Sequence, residues 1–173
     1  MTEATRFTLL LMALTLATSS HVLSQGTSTR AVADSCLSTS EFQLHGIFLA
    51  TDTTGTLRTP GKVLRVKTDS GADDGGWFER RTYFYRDMEM AVVRGAVDRL
   101  ATRTHNLATP SGLSAGLDLQ SVRRILLKQG VTFRSGTDTV DIGDCESSGG
   151  EYITLVFDRS QRIRSLEIFA ARP

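Results

Sequence analysis

"SGLSAGLDLQSVRRILLKQG", residues 111–130, is the stretch on which the reading of the fold turns. Its residues 112–116 spell Gly-x-Ser-x-Gly, the pattern of a serine-hydrolase nucleophile elbow with Ser114 as the nucleophile. Such an elbow needs a strand running up to the serine, a helix starting directly after it, and an acid and a histidine later in the chain. Pro110 stands where that strand would end, and no histidine follows His105. Pro is unsuited to the end of a central strand. The apolar periodicity also begins only beyond Asp118. Leu119, Val122, Ile125 and Leu126 make one helical stripe, with Asp118 as N-cap, Lys128 near the negative end of the dipole and Gly130 as the stop. The two glycines are therefore read as the approach to a helix cap. A small exported hydrolase using Ser114 stays as the alternative.

Worked outward, the same stretch overlies an earlier one at an offset of 66 positions. From His45 the chain reads "HGIFLATDTTGTLRTPG", so that Gly46 falls on Gly112, Asp52 on Asp118 and Arg58 on Arg124, while Phe48 falls on Ser114. Downstream, "MAVVRGAVDRLATRT" from Met90 overlies "VFDRSQRIRSLEIFA" from Val156, matching Val97 to Ile163, Leu100 to Leu166 and Thr102 to Ile168. Each is a strand, a short turn and a returning strand whose apolar positions fall at intervals of three and then two. An interval of three inside a strand moves the facing side by one residue, which predicts a β-bulge. A fixed internal period of this kind predicts a repeat architecture. The expected fold is α+β, with two tandem helix-plus-antiparallel-hairpin repeats forming a helix-backed antiparallel sheet within one compact domain. The repeat units are 45–104 and 105–173, after an N-terminal segment 25–44. The first helix is poorly specified, since "TTGTLRTPG" contains Gly55 and Pro60. "TDSGADDGG" reads as a polar loop between the strands "VLRV" and "RTYFYRDMEMAVV", and "GTDTVDIGDCESSGG" as a connection.

Residues 1–24 read as a secretory signal peptide: Arg6, the apolar run "FTLLLMALTLA", then small and polar residues, with cleavage placed after Ser24. The run is well short of the roughly 20 residues that span a bilayer as a helix, so no stable membrane anchor is expected after cleavage. A secreted or periplasmic location follows. Cys36 and Cys145, the two cysteines of the chain, are natural partners in an oxidising compartment, two unpaired thiols being the alternative. The formal net charge is +1 with mixed signs throughout, which leaves no basic field for nucleic acid. Isolated cysteines, His45 and His105 do not make a zinc set. Asp69, Asp73 and Asp74, or Asp141, Asp144 and Glu146, lack the ligand spacing of a calcium loop. No metal or cofactor is expected.

"WFERRTYFY", residues 77–85, gathers five of the twelve aromatic residues beside Glu79, Arg80 and Arg81. Aromatic residues with arginine are the usual material of binding hot spots. Trp77, Arg80, Tyr83 and Tyr85 are the candidate partner-binding residues, with Phe84 packing inward and the two tyrosines on the open sheet face.

The matched stretches, "SGLSAGLDLQSVRRILLKQG" with "EYITLVFDRSQRIRSLEIFA" and their weaker copies in residues 45–104, resemble the tandem-repeat bacterial β-lactamase inhibitor proteins. They are similar also to the small outer-membrane lipoproteins of the SmpA/OmlA kind. The resemblance implies a sheet whose open face binds protein. The chain departs from these families in lacking a lipoprotein cysteine, a well-formed first helix and the inhibitors' disulfide placement. The functional expectation is an exported, non-catalytic binding protein, an inhibitor-like or interaction module of the cell envelope with a protein partner. An apolar ligand carrier, with its pocket between helix and sheet, is a further alternative.

Overall fold

The computed structural model describes residues 29–49, 61–73, 75–134, 136–146 and 150–170. The expected signal peptide, residues 1–24, and the helix expected after Asp52 lie outside these. Among the described residues ten strands occur in chain order: β1 (Arg30–Val32), β2 (Gln43–Leu44), β3 (Ile47–Phe48), β4 (Arg65–Asp73), β5 (Gly76–Phe84), β6 (Glu89–Val93), β7 (Ala96–Thr102), β8 (Thr139–Gly143), β9 (Glu151–Phe157) and β10 (Ile163–Ala170). The helix α1 (Leu119–Leu127) separates β7 from β8, and a 3-10 turn spans Thr39–Glu41.

Eight strands form one sheet in the order β1-β8-β9-β10-β7-β6-β5-β4, and β2 and β3 form a separate hairpin. The sheet is mixed, because β1 runs parallel to β8 while the other neighbours are antiparallel. This overturns the expected α+β class of two helix-backed repeats. Among the described residues about half are strand, a tenth are helical, and there is one α-helix. The misreading had local causes. The polar run 68–73 does not loop but continues β4, and 76–79 begins β5, since cross-strand pairing overrides the low strand propensity of Gly and Asp. "TVDIG" is not a connection but β8, its Val140 and Ile142 buried. "RTYFYRDMEMAVV" is broken by a turn in which Tyr85 N–H donates to Met88 O at 2.8 Å.

The two expected bulges are present. Opposite β6 the register slips between Ala91 and Val92, which makes Asp98 the extra residue of the bulge on β7. Opposite β9 it slips between Ile163 and Ser165, leaving Arg164 unpaired. Asp98 and Arg164 are 66 positions apart, and so are Ala101 and Glu167, which face each other where β7 meets β10.

One face of the sheet is the core. Along it run Ile142, Ile153, Ile168, Leu100 and Met90, all at or below 2 % exposure, and against them pack Phe42, Leu44 and Ile47 from the β2–β3 region and Val122 and Leu126 of α1. Each such side chain contributes about 1.5–3 kcal/mol by leaving water. The helix begins at Leu119. Asp118 caps it by accepting from Ser121 N–H at 3.0 Å and from the Ser121 hydroxyl at 2.8 Å. It ends where Val131 N–H and Gly130 N–H bond back to Leu126 and Leu127 carbonyls, with Gly130 at φ 74° supplying the left-handed conformation. Cys36 and Cys145 are disulfide-bonded with Cα atoms 5.0 Å apart. With Leu37 N–H on Gly143 O and Cys145 N–H on Leu37 O, the bond fastens the N-terminal segment to the end of β8.

Candidate protein-binding surface

The β4–β5 hairpin is longer than the strand it docks on. All nine residues of β5 pair with β4, but only Arg80–Phe84 pair with β6. The distal part, from the Ser70↔Glu79 pair outward to Asp73↔Gly76, therefore extends past the sheet as a two-stranded arm. An isolated hairpin is marginal in water, and this one is braced from outside its own ladder. Arg94, in the β6–β7 turn at φ 50°, sends its guanidinium to the arm, where Nη2 donates to Gly76 O at 3.3 Å. The same group lies 5.8 Å from the centroid of the Phe78 ring, with Arg80 6.0 Å from that ring. The brace and the ring hold the arm in one orientation.

Strand alternation sorts "WFERRTYFY" onto two faces. Trp77, Glu79, Arg81 and Tyr83 share one face and Phe78, Arg80, Thr82 and Phe84 the other, while Tyr85 lies just beyond the strand. Trp77 is 81 % exposed at the tip. Glu79 and Arg81 stand beside it as an ion pair at 2.5 Å, which raises the Arg81 pKa, first through the hydrogen bond and then through the charge of Glu79. Tyr83 is half-buried against the core. With Phe78, Val92, Arg94 and Gly95 these four line a depression of about 370 Å³ in the notch where β5 leaves β6.

Of the four expected partner-binding residues, the structure thus brings Trp77 and Tyr83 together. Arg80 lies on the opposite face, 3.5 Å from Asp98, and Tyr85 is buried at 6 % exposure, its hydroxyl pKa raised first by burial and then by Tyr83. Phe84 is not inward either: it sits half-buried on the face away from the core, with the Arg65 guanidinium 4.0 Å over its ring. The expected inward and outward sets of this strand are exchanged. Arg81 and Glu79 were missed, although counting in twos from Trp77 reaches both. Arg94, remote in sequence, had no such signal.

The sheet face away from the core is polar at its centre. Arg99 on β7 donates from Nη2 to Glu167 on β10 at 2.8 Å and lies 3.6 Å from Glu89 on β6. Toward β1, the buried Asp141 accepts from Arg30 Nε and from the Thr154 hydroxyl, the latter at 2.6 Å. The Tyr152 and Phe169 rings stack at 6.0 Å on the same face.

Ser114 lies in the loop between β7 and α1, 8 % exposed, joined to Ala108 by an isolated bridge. The strand-turn-helix arrangement of an elbow is absent there, because the helix starts five residues later. Beside the C-terminal end of α1, Arg123, Leu127, Val131, Thr132 and Phe133 line a depression of about 210 Å³, with no strand residue among them. Among the described residues no group of three or more His, Cys, Asp or Glu side chains could hold a metal ion, and no helix is long and apolar enough to cross a membrane.

No family model, curated protein or solved structure matches the chain. The likeness to the inhibitor proteins and the small lipoproteins therefore rests on the sequence pattern alone.

Proposed function

We propose that the chain is an exported, non-catalytic binding protein, secreted or periplasmic, whose β4–β5 arm engages a protein partner through Trp77, Arg81 and Tyr83. The observation that carries this reading is the 81 % exposure of Trp77 on a hairpin that reaches beyond its own sheet and is braced by Arg94. A tryptophan left in water on a braced arm forgoes burial its own fold could have used, and a partner's pocket can supply that burial. Trp, Tyr and Arg are also the residues that dominate interface energies. Because the arm is held in one orientation, little ordering entropy opposes binding. The Cys36–Cys145 disulfide is consistent with export.

The test compares purified chain carrying Trp77→Ala or Arg81→Ala with wild type in recovering partners from the native envelope fraction. Leu127→Ala, on an exposed residue at the far end of α1, serves as control. The reading requires that a discrete protein recovered by wild type and by the control is lost at least tenfold with either arm variant. Equal recovery by all four proteins would remove the arm from function.

A further inference from the structure

The outer edge of the arm carries a second inference, independent of the aromatic face. β4 ends the eight-stranded sheet, and no strand lies beyond it among the described residues. An edge strand presents N–H and C=O groups outward at alternate residues, and folded proteins commonly blunt such edges with brevity, bulges, proline or charge. β4 is nine residues long, contains no proline, and pairs with β5 from Arg65↔Phe84 to Asp73↔Gly76 without a shift. Residues 65–70 are all exposed. The blunting that remains is charge: Arg65, whose guanidinium lies over the Phe84 ring, and Lys67 and Asp69, which stand on one face with Nζ and Oδ1 2.9 Å apart.

Lys67 and Asp69 exclude most foreign strands but complement each other. We propose that β4 pairs antiparallel with β4 of a second copy of this chain, about a two-fold axis at Thr68. In that register Thr68 faces Thr68, and Lys67 of each copy faces Asp69 of the other, so the pair of opposite charges occurs twice. The register also sets Leu64 of one copy opposite Ala72 of the other, and Ala72 is itself the cross-strand partner of Trp77. Seven large apolar side chains are exposed among the described residues, and three of them, Val63, Leu64 and Val66, lie on β4 or directly before it. Their exposure is what such a pairing reduces. Since paired residues project from the same side of the joined sheet, both aromatic faces would point one way, giving a two-armed binder.

Sedimentation of the oxidised, exported chain over roughly 1–100 µM tests this, a range that brackets a micromolar association. Wild type is expected to pass from monomer to dimer within it. Lys67→Glu or Asp69→Lys alone sets like charges opposite each other at two places and should weaken the dimer roughly ten- to thirtyfold. The exchanged variant, Lys67→Asp with Asp69→Lys, should restore it. A wild-type monomer at every concentration, a dimer insensitive to both single reversals, or an exchanged variant as weak as the single ones would each overturn the proposal.

Discussion

The ring of Phe78 occupies the space over Gly71, its cross-strand partner on β4. A Cβ built at Gly71 would stand 2.7 Å from the ring's Cζ. The two residues form the inner layer of the arm, where an aromatic covers a glycine and is in turn flanked by Arg94. Gly71→Ala should force the ring aside, and because the contact is with the far end of a half-buried side chain the cost should be no more than about 1 kcal/mol. Proteolysis rates and the unfolding midpoint check this, and cleavage should appear first in residues 65–84. An unchanged midpoint and unchanged cleavage would show that the ring does not hold the arm.

The disulfide joins residues 109 positions apart. In the chain-entropy description a closed loop of that length contributes about 4–5 kcal/mol. Reduction, or Cys36→Ser with Cys145→Ser, is expected to lower denaturant stability by an amount of that order and to loosen β1 and the 3-10 turn ahead of the remaining sheet. Hydrogen exchange resolves the second effect. Uniform loss of protection would mean that the N-terminal segment is not a separately anchored unit.

Glu151, at the start of β9, has a pKa held above the usual carboxylate range, first by burial and then by the charge and hydrogen bonding of Asp144. Its folded-state pKa exceeds its unfolded one, so the contribution of this group to stability is full below the ordinary glutamate value. It is lost as pH rises through the folded value. Glu151→Gln is accordingly expected to raise the melting temperature at pH 7 and to leave it unchanged near pH 3. A variant equally stabilised at both pH values would assign the effect to packing instead.

Asp118 shows the opposite sign. Ser121, through its backbone N–H and then its hydroxyl, draws the Asp118 pKa below its usual value. Stability from this cap is present above the ordinary aspartate range and is lost as pH falls through the lowered value. Asp118→Ala should reduce the melting temperature at pH 7, with the difference from wild type closing in strong acid. A difference that persists there would mean that the carboxylate is not the cap.

What the sequence made legible was local. Asp118, the stripe Leu119–Leu126 and Gly130 define α1 because capping, periodicity and a left-handed stop are read within thirteen residues. The three-then-two spacing located both bulges, at Asp98 and Arg164, because a bulge changes the side-chain alternation that spacing records. Class was not legible. β4 and β8 hold their place through neighbours far along the chain, and residues such as Asp69, Ser70 and Gly71 gain strand structure only from the partner opposite. At the candidate site, Trp77 stood out by type, but its companions depended on parity. Arg81 and Glu79 follow from counting in twos, whereas Arg80 and Tyr85, to which composition alone points, lie on the other face and in the core. The brace from Arg94 is a tertiary contact without a sequence signal.

The most direct measurement of the arm's role is photo-crosslinking in cells that export the protein, with a photoreactive amino acid placed at position 77, at 81, or at the control position 127. The proposed binding surface predicts one discrete crosslinked protein shared by positions 77 and 81 and absent at 127. Identical crosslinks from all three positions, or none from 77 and 81 while 127 gives a discrete product, would contradict it.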